Sequence, residues 1–193
     1  MAVIINASTS TGLVQSADTS GIIQFQSNGS TKATLNSSGF SYPGGVLQVV
    51  NASNSSRSTA SQQTWTSVVS ASITPKSSSS RILILGQIHA GNGSASNSIG
   101  LRIYRDSTVI GSGTGTVDAH SGENLQVGNP WMTATMVAHF IDSPATTSSI
   151  SYSLRAASWE NNLIINSSNS DSSAFSSGNV YGTSQIILME IAA

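Results

Sequence analysis

The residues with the most chemical potential gather in one short loop, Val117-Asp118-Ala119-His120-Ser121-Gly122-Glu123, where two carboxylates bracket an imidazole. Oxygen and nitrogen donors so spaced can hold a divalent ion weakly, but the set matches no established ligand pattern, and a polar loop makes such clusters by chance. His89 and His139 fall in apolar segments, where a hydrogen-bonded core or interface imidazole is the ordinary state. The other acidic residues are scattered singly, so neither a nucleophile with an orienting base nor two carboxylates facing one cleft can be read from the chain. The run Gly111-Ser112-Gly113-Thr114-Gly115 lacks the Lys-Ser/Thr ending of a phosphate loop, and no helical pattern follows it. It reads as a flexible turn. With 0 cysteines, a disulfide framework, a thiolate zinc site and a cysteine nucleophile are excluded. Neither catalysis, a cofactor nor a metal is expected.

Binding is easier to place than catalysis. Of the 3 tryptophans, Trp65 lies in a strand-like segment, whereas Trp131 and Trp159 fall near loops. Aromatic faces stack on sugars, so Trp159 with Glu160, Asn161 and Asn162 is the candidate glycan contact, set against the plainer role of filling core or subunit contacts. Arg81, Arg102, Arg105 and Arg155 flank strands and suit bidentate pairing with carboxylates across protomers, or simple solvation. Seven Lys and Arg with a net charge of −1 give too little cationic surface for phosphate neutralisation, so nucleic acid is not an expected partner. The start, Met-Ala-Val-Ile-Ile-Asn, lacks a basic region and a long apolar core, and no stretch reaches the roughly 18 apolar residues of a membrane span. Neither a signal peptide nor membrane insertion is expected.

These candidates need a scaffold, and composition says which kind. Charged residues are 8% of the chain against a usual share of about 25%. The polar surface must therefore be built from hydroxyls and amides. Hydrophobic residues at 38% are enough for a folded core, and 193 residues suffice for one domain with an appendage. Apolar residues come in short runs or alternate by two between Ser, Gly, Asn and Pro clusters, and nothing reads as a helix. Strands are predicted at Val46 to Val50, Thr64 to Thr74, Arg81 to His89, Ile99 to Arg105, Thr108 to Gly111, Ala134 to Ile141, Ile150 to Ala156, Asn162 to Ile165 and Gln185 to Ile191. In the second of these, Trp65, Ser67, Val69, Ala71 and Ile73 are expected on one face. Ile82, Ile84 and Ile88 alternate with Leu83 and Leu85, which predicts a strand covered on both sides. The last strand is expected inside its sheet.

The first 45 residues differ in scale. Very short strands at Ala2 to Asn6, Gly12 to Gln15, Gly21 to Gln26, Lys32 to Leu35 and Gly39 to Tyr42 carry too few apolar residues for a private core. Asn28-Gly29 between alternating segments is a strong hairpin signal, and Pro43-Gly44-Gly45 marks a boundary. The division expected is a β-rich stalk or anchor over residues 1–45 and a head over 46–193. A segment so thin is stable only against partners, so intertwining with copies of itself as a homotrimer is expected. Long Ser-rich loops at Asn51 to Gln63, Ala90 to Ser98 and Ser167 to Asn179 are expected at the ends of the head as recognition surfaces.

This pattern resembles bacteriophage short fibre and capsid-decoration proteins, especially those of marine phages, that pair a slender N-terminal β segment with a trimeric jelly-roll head. The resemblance is carried by Gly12-Leu13-Val14-Gln15-Ser16-Ala17-Asp18-Thr19-Ser20-Gly21-Ile22-Ile23 and by Pro43-Gly44-Gly45-Val46-Leu47-Gln48-Val49-Val50. In the head it is carried by Ile73-Thr74-Pro75-Lys76-Ser77-Ser78-Ser79-Ser80-Arg81-Ile82-Leu83-Ile84 and Phe140-Ile141-Asp142-Ser143-Pro144-Ala145-Thr146-Thr147. It implies an all-β fold, a jelly-roll β-sandwich that trimerises through one sheet, and no enzymatic activity. It also implies attachment to other virion proteins, capsid or tail, through the thin segment, with the protein made in the host cytoplasm and exposed on the virion surface. The anchoring and trimerising residues are then Val3, Ile4, Ile5, Leu13, Ile22, Phe25 and Leu35. The alternative is a tail-fibre-type adhesion module that binds host glycan. The chain is shorter than host-binding tail fibres generally are, which favours the short fibre or decoration reading.

Overall fold

A computed structural model describes residues 20–37, 39–92, 97–114, 119–125, 133–168 and 180–193. The chain separates into two compact units, Met1–Pro43 and Gly44–Ala193. In the first, β1 (Ile23–Ser27), β2 (Ser30–Asn36) and β3 (Gly39–Ser41) form an antiparallel sheet in the order β1-β2-β3. Asn28 and Gly29 both take positive φ, 51° and 74°, as the twist of a two-residue hairpin loop requires, and Ser27 pairs with Ser30 across it. No described residue from Ser20 to Pro43 is buried, and Phe25 meets Phe40 edge to face at 5.8 Å between ring centres. Four of the expected anchoring residues, Val3, Ile4, Ile5 and Leu13, lie outside the described residues, as do the expected strands at Ala2 to Asn6 and Gly12 to Gln15.

The second unit begins with β4 (Val46–Asn54), β5 (Ser58–Ala60), β6 (Thr66–Ile73) and β7 (Arg81–Asn92). It continues with β8 (Asn97–Arg105), β9 (Thr108–Ile110), β10 (Ser121–Leu125), β11 (Thr133–Asp142), β12 (Ile150–Ser158), β13 (Leu163–Ile165) and β14 (Ser184–Ile191). One sheet runs β10-β8-β12-β6 with β9 beside β8, and the other runs β4-β14-β7-β13-β5 with β11 on β7. The connectivity has a simple logic. Fold a long antiparallel hairpin so that β4 pairs β14, β6 pairs β12, β7 pairs β11 and β8 pairs β10, then roll it; β14 now meets β7 and β12 meets β8. That is a jelly-roll sandwich. All of the described elements are strands, and the chain is all-β.

Between the sheets, Ile82, Ile84 and Ile88 of β7, Ile186 and Leu188 of β14, and Met136 and Ala138 of β11 face Leu101 and Ile103 of β8 and Tyr152 and Leu154 of β12. Leu154 fills the space left by the missing side chain of Gly86, where an added Cβ would stand 2.7 Å from its Cδ1. Tyr152, fully buried, donates to Asp142 Oδ2 at 2.7 Å, and Arg105 Nη1 approaches both Asp142 oxygens at 3.1 Å. The phenol is pushed well above its ordinary range by burial first and by that carboxylate second. This triad links β8 and β12 of one sheet to β11 of the other. The carboxylate of Glu190, also fully buried, accepts from Gln48 Nε2 at 2.6 Å and from the Lys76 amide at 2.7 Å, and so pins the loop between β6 and β7 to β14.

Several elements depart from the sequence pattern for identifiable reasons. The pairing of β6 with β12 shifts register where Leu154 faces Val69 and Arg155 faces Ser67, so Val68 is an inserted residue and both Val68 and Val69 are buried. Trp65 and Ser67 therefore lie on the face opposite Val69, Ala71 and Ile73, not with them. The strands β5 and β10 carry almost no apolar alternation and are held by their partners β13 and β8. Two of the loops expected as recognition surfaces are partly strand: Asn51 to Asn54 extends β4, and Ala90 to Asn92 extends β7. Leu83 and Leu85 are only half-buried, so the described residues leave the outer side of β7 partly open there.

Candidate functional site

The outer face of the β4-β14-β7-β11 layer is built in rungs set by the strand register. Val46, Ile191 and Arg81 make the first; Val49, Met189, Leu83 and Ile141 the second; Asn51, Ile187, Leu85 and His139 the third; Ser53, Gln185, Gln87 and Val137 the fourth. Antiparallel sheets that face water alternate apolar inside with polar outside. Here the outward positions of the first three rungs are mostly aliphatic. Val46, Val49 and Ile141 are exposed at 53%, 56% and 53%, and Val137 at 49%. Among the described residues of these four rungs the one charged side chain is that of Arg81.

The β11 edge of that layer is capped by the chain itself. Ser121 Oγ donates to the Val137 carbonyl at 3.0 Å, and the His139 amide donates to His120 Nε2 at 3.3 Å. His120 Nδ1 then carries the proton and donates to the Gly111 carbonyl at 2.7 Å. Both nitrogens of His120 are thus engaged, and its ring stands perpendicular to that of His139 at 6.0 Å. The imidazole is an edge cap. Asp118 and the side chain of Glu123 lie outside what the structure describes. His89 is half-buried beside Ser184, whose Oγ accepts its amide at 3.0 Å, and Thr135, whose Oγ1 lies 3.2 Å from Nδ1. Burial lowers its pKa.

The residues expected to meet a host surface sit on the turn between β12 and β13. Trp159 is 50% exposed, its amide bonded to the Ser98 carbonyl, while Asn162 is exposed and Asn161 is half-buried and takes the Ser158 hydroxyl on its carbonyl. Of the anchoring residues, Ile22, Phe25 and Leu35 are exposed. Trp131 lies outside the described residues. Of the arginines expected to bridge protomers, Arg105 pairs instead with Asp142 of its own chain. Sequence reading missed the aliphatic face as a unit, because its members come from four strands and only the register aligns them. The legible trace was the double-sided apolar run of β7.

No family model matches the chain, and no curated protein does. Solved structures similar to it include that of infectious bursal disease virus Gx strain, at 14% identity and a TM-score of 0.41, covering 88% of this chain and 40% of that one. Another is the infectious bursal disease virus VP2 subviral particle, at 10% identity and a TM-score of 0.40, covering 86% of this chain and 41% of that one. The chain spans about 40% of the length of these matches.

Proposed function

We propose that this chain is a non-enzymatic virion structural protein, a short fibre or head decoration protein, that works as a homotrimer on the particle surface. The observation that carries the proposal is the aliphatic outer face of the β4-β14-β7-β11 layer, which a lone subunit leaves in water. Burying apolar surface stabilises by about 25 cal/mol per Å², so a face of this kind favours association. The His120 and Ser121 cap on β11 disfavours strand addition at that edge. The thin N-terminal sheet points the same way: Ile22, Phe25, Leu35 and Phe40 are all exposed, and three copies around an axis would give them a shared interior. That segment would also dock on other virion proteins. Light scattering on the full chain at micromolar concentration, in low and in molar salt, tests the reading. A trimer that persists in high salt is expected; a monomer in both conditions overturns it.

A second reading, adhesion to host glycan, has in its favour Trp159, half exposed on the turn that also carries Asn161 and Asn162. A glycan array run with and without Ca²⁺ tests it, and no hits in either condition removes it.

A further inference from the structure

On the other sheet the outer face is of a different kind. The inserted Val68 turns Trp65 outward, and its ring reaches Gly100 on β8, where an added Cβ would stand 2.9 Å from Cη2. Arg102 lies over that ring at 4.1 Å, and Arg155 lies over Tyr104 at 4.0 Å. Arg102 and Arg155 are direct cross-strand partners on β8 and β12, an arrangement that like charges disfavour. Stacking on the two rings offsets part of that repulsion and holds each guanidinium flat. Around them the face is lined by Ser67, Ser70, Ser72, Ser151 and Ser153. The strands β6, β8, β9 and β12 contain no Asp or Glu, and Asp106 in the turn between β8 and β9 is engaged by the Ser151 amide at 3.0 Å. Arg155 Nε donates to Ser153 Oγ at 3.3 Å, while its two terminal nitrogens bond to nothing among the described residues.

The geometry points to this face as a binding site for a carboxylated polysaccharide, with Arg155 as the fork that receives a uronate carboxylate. Three features select that class. A guanidinium edge held by an aromatic ring presents two parallel donors matched to a planar carboxylate. The exposed Ser67, Ser70 and Ser72 and the half-buried Ser151 offer hydroxyl partners for the hydroxyls of adjacent sugars. Two neighbouring guanidiniums on strands β8 and β12, which contain no Asp or Glu, suit an acidic polymer, while the chain as a whole, with 7 Lys and Arg, lacks the basic surface that nucleic acid requires. The site is independent of self-association through the opposite sheet, and either can fail without the other.

Titration calorimetry of the full chain with oligogalacturonate tests this, with the methyl ester of the same oligomer as the neutral control. Binding of the free acid but not the ester is expected, about tenfold weaker or worse in Arg155→Gln, intermediate in Arg155→Lys, and unchanged in Lys32→Gln. Thermal melting and light scattering on each variant confirm fold and oligomeric state, and Arg155→Lys keeps the test decisive if Arg155→Gln does not fold. Equal binding of acid and ester, binding that survives Arg155→Gln, affinity for dextran sulfate or oligothymidylate equal to that for the uronate, or no binding at all would each overturn the assignment.

Discussion

The two outer faces of the sandwich share one core and one construction rule, yet they solve exposure differently. On the β4-β14-β7-β11 side most outward positions hold Val, Leu, Ile or Met, with polar residues mainly in the fourth rung, and four of the aliphatic ones stand about half exposed. On the β6-β12-β8 side they hold serine, glycine, alanine and two ring-stacked arginines. A face of hydroxyls is content in water. An aliphatic one is not, so the pair teaches that a sheet's outward alternation, and not its core, tells which side expects company.

The sharpest way to break this contrast is Val49→Asp combined with Ile141→Asp. If the aliphatic face is the subunit contact, sedimentation or light scattering should show association weakened by roughly 100-fold, equivalent to about 3 kcal/mol, with the fold retained. Ser70→Asp and Ser72→Asp on the other face should leave association untouched; equal losses from both pairs would erase the distinction. Next in size is Gly86→Ala, which drives a methyl against Leu154 and the Gln185 carbonyl between the sheets and should cost about 2 kcal/mol in denaturant unfolding. A loss near zero would mean the sheets are looser than described.

Tyr152→Phe should cost about 1.5 kcal/mol, because Asp142 loses a buried donor while keeping Arg105. It also carries a pH signature. The folded phenol is held above its unfolded value near 10, so its contribution is complete below about pH 10 and declines as pH rises beyond it. The variant should lack that alkaline decline in a melting series. The smallest effect belongs to His89, whose pKa burial lowers. The unfolded state then takes up a proton near pH 6.5 before the folded state does, so stability is full above that pH and falls below it. Replacing His89 with Gln should flatten this acid slope; a slope unchanged in the variant would assign it elsewhere.

Much of the architecture was legible because long strands such as β7, β11 and β14 write their period plainly, and because Asn28-Gly29 admits little besides a hairpin. What escaped was whatever depends on a partner strand. The segments Ser58–Ala60 and Ser121–Leu125 are strands only because β13 and β8 lie beside them. One inserted residue, Val68, reverses the facing of Trp65, and an alternation count along the sequence cannot see it. The candidate site followed the same rule. His120, which its neighbours in sequence leave as a chance member of a polar loop, is a cap once its neighbours in space, Gly111 and His139, are known.

The position of β14 between β4 and β7 has a consequence for biogenesis. A chain made from its amino end must release residues 184–191 from the ribosome before that sheet can zip shut, and until then β4 and the facing edge of β7 present unpaired backbone to solvent. Contacts of such long sequence separation form slowly. Closure of this sheet should therefore be an all-at-once event that waits for β14, and deleting β14 should abolish the fold of the second unit outright instead of trimming it.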